Sequence, residues 1–312
     1  MPDSVRFTVN AEEAGRLDRI LVARFPGVGR RRWAEMFAAG WVQVNGGRAV
    51  KGQRVAPGAE VTVRAAPATG PSLAPIPEPE LPLEVLHVDA RLLALGKPPG
   101  QPSHPLRPGE TGTLANALVA RFPECAAVGR DVREGGLVHR LDRGTSGVLL
   151  AARDLEAYSF ARRAFAAGQV GKTYLALVAG SARDGELDAP LVQRGRRSVL
   201  ARPGDPDALE ALTAWRVIAG AGGVSLLEVT ARSGRMHQVR AHLAAAGHPL
   251  VGDPLYGGPE SVGGQRIEHP FLHARSIALP HPDGGRLEVD APLPAQRAET
   301  LIALGCALDR AH

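Results

Sequence analysis

Apolar residues in the first part of the chain recur first at helical and then at strand spacing. Residues 16–25, and residues from about 30 to 39, place apolar side chains three or four positions apart, which predicts two amphipathic helices. Pro26–Gly27 is expected to end the first helix and Gly40 the second. Alternating segments that predict strands follow at 41–44 and 60–64.

In the remainder of the chain, apolar residues again recur at helical spacing in some segments and at strand spacing in others. Alternating or continuously apolar runs predict strands at 84–88, 92–95, 148–152, 171–178 and 225–230. Helical spacing predicts helices at 113–122 and at 154–167, the second capped by Asp154. A third helix has the apolar stripe Met236, Val239, Leu243 and Ala246. Arg240 lies at the border of this stripe, so we expect a half-buried stem and a guanidinium that faces a cleft.

A segment that contains six prolines separates the two parts of the chain. Because proline favours extended, semi-rigid backbone, residues 66–82 are predicted to be a linker. The predicted organisation is therefore a small domain at 1–65, the linker at 66–82 and a larger domain at 83–312.

Length and composition place the chain among soluble globular proteins. Its 312 residues, 44% of them hydrophobic, suffice for a substantial core. No apolar run reaches membrane-spanning length, and the first residues lack the order of a secretory signal. Cys125 and Cys306 provide neither a disulfide framework nor a zinc site. We expect a cytoplasmic protein that has no membrane contact.

The positive charge is concentrated in the first domain. Residues 1–65 hold 11 Lys and Arg against 6 Asp and Glu, whereas residues 66–312 hold 26 of each kind. A basic module of this kind suits a polyanion such as nucleic acid, where phosphate contacts supply affinity that salt removes.

One segment, His139-Arg140-Leu141-Asp142-Arg143-Gly144-Thr145-Ser146-Gly147, places a lone carboxylate between two guanidinium groups. It lies in a turn between the apolar lead-in at 136–138 and the buried run at 148–152. Nearby cations favour the ionised form of Asp142. From these residues alone, Asp142 can be a nucleophile, a base or a structural salt-bridge partner.

This segment resembles the active-site motif of the RluA-type pseudouridine synthases, which convert uridine in RNA to its carbon-linked isomer. Three other stretches resemble further motifs of that family: Gly96-Lys97-Pro98-Pro99-Gly100, Lys172-Thr173-Tyr174-Leu175-Ala176-Leu177-Val178 and Gly234-Arg235-Met236-His237-Gln238-Val239-Arg240-Ala241-His242. Gly96 replaces the family's Asn, and Met236 replaces its Thr or Ser. The resemblance implies an α+β catalytic domain with a mixed, mainly antiparallel sheet flanked by helices.

The resemblance also implies roles for individual residues. Asp142 is the expected catalytic carboxylate, Tyr174 stacks on the uracil, and Arg240 pairs with Asp142, which we expect to be a forked contact. Arg140 is the candidate to fill the gap that a flipped-out uridine leaves. The expected substrate-binding residues are Arg140, His139, Lys97, Lys172, Arg235, His237 and Gln238.

The implied isomerisation requires no metal and no cofactor. The bond from ribose to uracil nitrogen breaks, the base turns, and carbon 5 joins the ribose, with no net redox change or hydrolysis. Whether Asp142 attacks ribose or uracil, or removes a ribose proton, stays open. His237 and His242 are five residues apart, so on a helix they point to different sides, unlike an i, i+4 zinc pair.

The first domain resembles the RNA-binding domain of ribosomal protein S4, which adds a small basic α/β module before the catalytic domain. The expected RNA-binding residues are Arg16, Arg30, Arg31, Arg32, Arg48 and Lys51. The implied partner is RNA, with large-subunit (23S) ribosomal RNA or a pre-ribosomal particle expected, and the protein is expected to be a monomer.

Three alternatives remain beside this interpretation. One is a non-catalytic RNA-binding or ribosome-assembly protein on the same fold, and another is a synthase that acts on tRNA. The third is a metal-dependent nuclease that uses Asp142 and Asp253, which sensitivity to a chelator would favour.

Overall fold

The computed structural model describes residues 4–25, 28, 30–64 and 72–306, without the side chains of residues 30 and 31. The chain divides into two compact units after residue 74, and residues 106–109 belong with the first unit. The predicted helix end at Pro26–Gly27 and residues 66–71 of the predicted linker lie outside the described residues.

The first unit packs two short helices with small antiparallel sheets. Its elements are β1 (Val5–Thr8), β2 (Gly15–Arg16), α1 (Leu17–Arg24), α2 (Arg30–Ala38), β3 (Val42–Val44), β4 (Gly47–Arg48), β5 (Arg54–Val55) and β6 (Glu60–Val63). Both predicted helices and both predicted strands are therefore confirmed. Asn45 and Gly46 have positive φ angles of +50° and +79°, the conformation of the tight turns that join antiparallel strands such as β3 and β4.

The second unit contains a large sheet and the helices that pack on it. Its strands are β7 (Glu84–Val88), β8 (Leu92–Lys97), β9 (Ser146–Ala152), β10 (Gly171–Ala179), β11 (Gly185–Asp188), β12 (Leu191–Arg194), β13 (Arg197–Leu200), β14 (Leu212–Ala221), β15 (Val224–Ala231), β16 (Ser261–Val262), β17 (Gln265–Arg266), β18 (Leu272–Pro280) and β19 (Arg286–Asp290). Its α-helices are α3 (Leu114–Arg121), α4 (Leu155–Ala166), α5 (Gln238–Ala245) and α6 (Ala295–Ala303).

Nine described strands form the central sheet, in the order β11-β14-β15-β10-β18-β9-β8-β7 with β19 paired to β18. Among the described pairs of this sheet, only β9 and β18 run parallel. The predicted α+β class with a mainly antiparallel sheet is confirmed. None of the described helices is both long and apolar enough to cross a membrane.

Local capping explains where two of the helices begin. The Thr113 side chain accepts a hydrogen bond from the backbone N–H of Asn116, and the Asn116 side chain accepts one from the N–H of Thr113. At the start of α4, the Asp154 carboxylate accepts a hydrogen bond from the N–H of Ala157. Each cap satisfies backbone donors that the first helical turn leaves without partners, so the predicted cap at Asp154 is confirmed.

The predicted apolar stripe of α5 is partly wrong. The helix begins at Gln238, so Met236 precedes it, and Ala246 at its other end is exposed. Val239 and Leu243 are buried as predicted, but so are the polar residues Gln238, Arg240 and His242. The first turns of α5 are thus buried nearly all round, which a single apolar stripe does not predict.

Part of the predicted linker is attached to the second unit. Asn116 donates a side-chain hydrogen bond to the carbonyl of Ile76 at 2.7 Å, and its own carbonyl accepts one from the N–H of Glu78 at 3.2 Å. The domain limits at 65 and 83, and the S4-like assignment of the first unit, stay predictions.

Candidate active site

The loop that carries Asp142 is fixed on both sides of the carboxylate. Ser103 brackets Leu141, donating to its carbonyl at 2.8 Å and accepting from its N–H at 3.2 Å. After Asp142, the N–H of Thr145 donates to the Asp142 carbonyl at 3.0 Å, and β9 begins one residue later. Gly147 lies against β18, where a Cβ would be 2.1 Å from the carbonyl oxygen of Ala274. The end of the loop is therefore packed against β18 with no room for a side chain at residue 147.

The Asp142 carboxylate faces the start of α5. Its Oδ2 accepts a hydrogen bond from Arg240 Nη1 at 3.1 Å and lies 3.7 Å from His237 Nε2. The side chain is 20% exposed, so a substrate can reach it. Arg140 and Arg143 are exposed, and within the described part of the chain neither pairs with Asp142. Arg140 nevertheless lines the same cleft as Asp142, so the cation that pairs with the carboxylate comes from α5 and not from its neighbours in the turn.

Arg240 makes its forked contact with a second carboxylate. Arg240 Nε and Nη2 donate to the two oxygens of Asp253 at 2.7 and 2.9 Å. The side chains are 9% and 1% exposed. Burial disfavours the charged guanidinium, but Asp253 and then Asp142 outweigh this effect and raise the pKa of Arg240. The expected pairing of Arg240 with Asp142 is present, but the expected fork onto Asp142 is wrong.

The turn into α5 aims His237 at the same place. His237 has a φ of +54°, a left-handed conformation that is uncommon for a residue with a side chain. Its Nδ1 forms a 3.1 Å hydrogen bond with the Tyr256 hydroxyl, while its Nε2 faces Asp142. Burial lowers the pKa of His237, and the opposing effect of Asp142 is smaller.

Tyr174 forms another wall of this cleft. It lies on β10 beside a bulge in the pairing with β18, and its half-buried ring packs against the core on both sides. Burial, and after it the charge of Asp142, raises the pKa of Tyr174, so the phenol is neutral. The residues that line the cleft are Arg140, Leu141, Asp142, Thr145, Tyr174, Ala231, Ser233, Gly234, Arg235, His237, Gln238, Val239, Arg240 and Leu272.

Four of the predicted substrate-binding residues line this cleft: Arg140, Arg235, His237 and Gln238. Gln238 is buried, and its Oε1 accepts hydrogen bonds from the Ser233 hydroxyl at 2.7 Å and the Arg235 N–H at 3.2 Å. It therefore shapes the wall of the cleft. Arg140 and Arg235 are exposed and can meet a larger ligand at the mouth.

The other three predicted substrate-binding residues do not line the cleft. His139 Nε2 accepts a hydrogen bond from the N–H of Leu150, and burial lowers its pKa to about 3. Lys97 donates to the carbonyls of Pro98, Gln101 and Arg143 at 2.9, 2.8 and 3.1 Å. Lys172 donates to Ser233 O at 2.8 Å. All three therefore brace the segments that form the site.

The two lysines share one electrostatic feature. Burial, and after it the charge of Arg297, lowers the pKa of Lys97 to about 7. Burial, and after it the charge of Arg235, lowers the pKa of Lys172 to about 8. Both amines are held by backbone carbonyls, and neither pairs with a carboxylate of the residues that the structure describes. Each therefore supports loop geometry, and its predicted contact with the substrate stays a prediction.

The described candidates for RNA binding in the first unit are all exposed. Arg16 pairs with Asp18 at 3.0 Å, Arg32 pairs with Glu35 at 3.4 Å, and Arg48 donates to the Ala38 carbonyl. Lys51 is also exposed, whereas the side chains of Arg30 and Arg31 lie outside the described residues. Their exposure permits phosphate contacts, and their role stays a prediction.

The sequence interpretation missed three contributors to the site. Asp253 was considered only for the nuclease alternative, although Gly252-Asp253-Pro254 is a turn signature next to the third motif. Tyr256 contacts His237 and lies with its ring 5.0 Å from the Arg240 guanidinium carbon. Arg297 on α6 donates to Gly144 O at 2.9 Å, a contact that no local pattern signals.

Both carboxylates of the nuclease alternative already form ion pairs with an arginine side chain. Asp142 and Asp253 both pair with Arg240. Among the residues that the structure describes, no group of three His, Cys, Asp or Glu side chains could hold a metal ion. The expectation of a reaction without metal or cofactor stays a prediction.

Comparisons with known proteins agree on one family. A family model described as RNA pseudouridylate synthase matches residues 91–245. The chain is 39% identical over 291 residues to an uncharacterized RNA pseudouridine synthase of Chloroflexus aurantiacus, covering 91% of this chain and 88% of that protein. It is 33% identical over 318 residues to a ribosomal large subunit pseudouridine synthase D of Xanthomonas campestris pv. campestris, covering 97% and 94%.

A solved structure agrees with the sequence comparisons. The structure titled Human RNA Pseudouridylate Synthase Domain Containing 4 matches with a TM-score of 0.59 at 25% identity. The match covers 71% of this chain and 93% of that one.

Proposed function

The chain belongs to the RluA-type family of RNA pseudouridine synthases, which are isomerases, and from that premise we propose that it converts uridines of large-subunit ribosomal RNA to pseudouridine with Asp142 as the essential carboxylate. The observation that carries the proposal is the position of Asp142. It is a partly exposed carboxylate at the base of a cleft, held by one buried arginine and faced by a tyrosine ring.

The geometry gives each group a distinct task. Arg240 holds Oδ2 of Asp142 through a charge-assisted hydrogen bond. Only Oδ2 of Asp142 has a partner among the described residues, so Oδ1 is available to the ribose or to the base. Tyr174 offers a flat apolar surface on which a detached uracil can turn without diffusing away.

Arg140 is the proposed occupant of the space that a flipped uridine leaves. It is exposed at the mouth of the cleft, two residues before Asp142. A long cationic side chain there can enter the vacated stack and meet phosphates on either side. Lys97 and Lys172 act at a distance, since they hold the loops that bear Asp142 and Arg235.

The proposed RNA class rests on two observations. Several relatives of similar length are named ribosomal large subunit pseudouridine synthase D, with 33% to 35% identity to this chain. The net charge of +5 lies within residues 1–65, which suits a large folded polyanion. Both observations favour ribosomal RNA over an unspecified RNA.

The first prediction is that Asp142→Asn abolishes isomerisation and leaves RNA binding within about threefold of the parent value, because the amide keeps the shape but cannot act as a carboxylate. Tritium release from RNA labelled at uracil carbon 5 measures the reaction, with and without chelator. Turnover by a clean preparation of this variant would exclude Asp142, and chelator-sensitive cleavage of the RNA without tritium release would favour the nuclease alternative.

The RNA class is tested by mapping pseudouridine in total RNA from cells with and without the gene. Loss of one or more sites in large-subunit ribosomal RNA supports the proposal. Loss confined to tRNA would replace the substrate, and an unchanged map would favour the non-catalytic alternative.

The second prediction concerns the basic first unit. Substituting Arg32 and Lys51 together by Gln should weaken RNA binding and flatten the slope of log affinity against log salt by up to about 2, since each phosphate contact contributes about 0.9. The matched control substitutes Arg216 and Arg286, two exposed arginines of the second unit, and should leave the slope unchanged. Equal slopes for both pairs would contradict an RNA-binding role for the first unit.

A further inference from the structure

The side chain of His237 uses only one of its two ring nitrogens in a hydrogen bond within the described structure. Its Nδ1 lies 3.1 Å from the Tyr256 hydroxyl, whereas its Nε2 lies 3.7 Å from Oδ2 of Asp142, beyond hydrogen-bond length. The ring lines the cleft, and its side chain is 15% exposed. The nitrogen that carries the proton therefore decides what the cleft offers to a substrate beside Asp142.

The Tyr256 hydroxyl fixes the position of that proton. It accepts a hydrogen bond from the N–H of Ser198 at 2.8 Å and donates one to the carbonyl of Ser198 at 3.1 Å. Burial raises the pKa of Tyr256, so the hydroxyl has its one proton to donate. Ser198 is buried, and its carbonyl needs this donor. The hydroxyl can then only accept from His237, so Nδ1 carries the proton of the neutral ring.

Nε2 of His237 is consequently a hydrogen-bond acceptor. Burial lowers the pKa of His237 below its usual value and outweighs the opposing effect of Asp142, so the ring is neutral at pH 7. Oδ2 of Asp142 is also an acceptor and already holds Nη1 of Arg240. Two acceptors do not bind each other, so the lone pair of Nε2 is open to the cleft. A substrate group that donates a hydrogen bond is favoured at this point.

We propose that His237 recognises the ribose of the target uridine, with its Nε2 accepting a hydrogen bond from the 2′-hydroxyl, the group by which a protein distinguishes RNA from DNA. This assignment rests on the proposed function, which brings the glycosidic bond of the uridine to Asp142. Carbon 2′ is bonded to carbon 1′, so the 2′-hydroxyl is the hydrogen-bond donor nearest to that bond. It meets the free acceptor that lies beside the same carboxylate.

The neighbouring polar groups do not compete for the hydroxyl. Gln238 Oε1 accepts from the Ser233 hydroxyl, and the Arg240 guanidinium donates to two carboxylates. His237 Nε2 is thus the side-chain acceptor at the start of α5 that has no donor within the described part of the chain. A 2′-hydroxyl held there leaves Oδ1 of Asp142 free to react.

A cycle between protein and substrate tests the proposal. The full-length parent and His237→Asn are compared under single-turnover conditions on synthetic RNAs that span a uridine mapped as a product site in large-subunit ribosomal RNA. That position carries uridine, 2′-deoxyuridine or 2′-fluorouridine, and the carbon-linked product is quantified by chromatography of the digested RNA. Neither analogue can donate the hydrogen bond, so the preference of the parent for uridine should exceed that of His237→Asn about tenfold or more. Differences in intrinsic reactivity are common to both proteins and cancel.

The choice of variants separates recognition from folding. Asparagine suits the left-handed backbone of residue 237, where φ is +54°, and its amide ends short of the position of Nε2. His237→Gly, which removes the strain at this angle, replaces it if thermal melting shows that the asparagine variant is unfolded. His248→Asn, at a half-buried histidine after α5, is the matched control and should leave the rate and the preference unchanged.

Tyr256→Phe tests the position of the proton on His237. It keeps the ring beside Arg240 and removes the hydroxyl that holds the proton on Nδ1. Nε2 then carries the proton in part of the molecules and faces Asp142 as a donor, so it no longer accepts from the substrate. The preference for uridine should therefore fall about threefold or more from that of the parent.

The outcomes separate this inference from the proposed function. A parent that converts no uridine in ribosomal RNA contradicts the proposed function, and this inference with it. An active parent whose preference for uridine is matched by His237→Asn within about threefold contradicts this inference alone. A difference seen with 2′-deoxyuridine but absent with 2′-fluorouridine also contradicts it, since neither analogue can donate. An unchanged preference in Tyr256→Phe contradicts the protonation of His237 on which it depends.

Discussion

Two buried arginines hold the loop that bears Asp142, and their partners are of opposite kinds. Arg240 contacts two carboxylates. Arg297 contacts no carboxylate in the described structure; it donates to Gly144 O, Pro270 O, Leu272 O and Ser146 Oγ. Burial lowers the pKa of Arg297 to about 10, whereas the pKa of Arg240 is raised despite its burial.

The difference shows that Arg240 serves the proposed chemistry, whereas Arg297 supports the structure around it. A guanidinium without a counterion is expensive to bury unless its N–H groups are satisfied, which Arg297 achieves with neutral oxygens. Its contacts join α6, the loop after Asp142 and the start of β18. Arg240 instead uses its charge on the carboxylate that is proposed to react, so a substitution that keeps this charge should lower the rate more than the stability.

The largest effect is expected from Arg297→Leu. The substitution removes every hydrogen bond of the guanidinium and leaves buried carbonyls without donors, so we expect a loss of about 4 kcal/mol in the free energy of unfolding. For a unit of this size that corresponds to a melting temperature lower by roughly 8 to 16 °C. Thermal melting measures it.

The control for this change is Arg162→Leu. Arg162 is half-buried and donates to the single carbonyl of Val138 at 2.9 Å, so the expected loss is about 1 kcal/mol. If both variants melt alike, Arg297 is not the support that the comparison assigns to it.

Arg240→Lys is expected to change the free energy of unfolding less than Arg297→Leu does, but to lower the catalytic rate. Lysine keeps the charge and cannot form a planar fork, so the single-turnover rate should fall about a hundredfold, equivalent to about 2.7 kcal/mol of transition-state stabilisation. The melting temperature should fall by only about 5 °C or less, because the ammonium still pairs with the buried carboxylate. Tritium release and melting are measured on the same preparation.

Arg133→Lys is the matched control, since Arg133 forms a fork with Asp131 away from the cleft. It should lose no more than about twofold in rate. A rate for Arg240→Lys within about threefold of the parent would mean that a dispersed field, and not one aligned pair, governs Asp142.

The sequence predicted those parts of this arrangement that depend on neighbouring residues. The cap at Asp154 involves a partner three residues away, and the strand predicted at residues 171–178 is present, although residues 175–178 are all buried and do not alternate in burial. Asp142, Tyr174 and Arg240 were assigned by motif resemblance, and the structure brings all three to one cleft. Their catalytic roles stay predictions.

The sequence did not predict contacts that only the tertiary fold creates. Arg297 and Gly144 are separated by 153 positions, and no periodicity links them. His139 and Arg140 are adjacent in one motif, yet His139 accepts a hydrogen bond from the strand β9 and Arg140 is exposed. Adjacent residues in a turn can face the core or the solvent, and packing against distant elements decides which.

A histidine lies near each of these two buried arginines. The one near Arg297 is His273, which is part of a hydrogen-bond chain. Arg297 Nη1 donates to Ser146 Oγ at 2.9 Å, and Ser146 Oγ lies 2.8 Å from His273 Nδ1. His273 Nε2 lies 3.1 Å from the Ala291 carbonyl, which can only accept, so Nε2 carries the proton. In the neutral ring, Nδ1 then accepts from the Ser146 hydroxyl. Protonation of Nδ1 would break this chain.

The smallest expected effect is the pH dependence of that chain. Burial lowers the pKa of His273 from 6.5 to about 4, so between these values the unfolded state binds the proton more readily than the folded state. Stability is therefore complete above pH 6.5 and lost as pH falls toward 4, with about 2 kcal/mol lost by pH 5. Other buried histidines titrate too, so urea unfolding at pH 7 and pH 5 is compared between the parent and His273→Gln. Between pH 7 and pH 5, the free energy of unfolding should fall by about 2 kcal/mol more for the parent than for the variant. Equal losses would show that Arg297 tolerates a second cation beside it, and that the neutral hydrogen-bond network assigned to Arg297 is wrong.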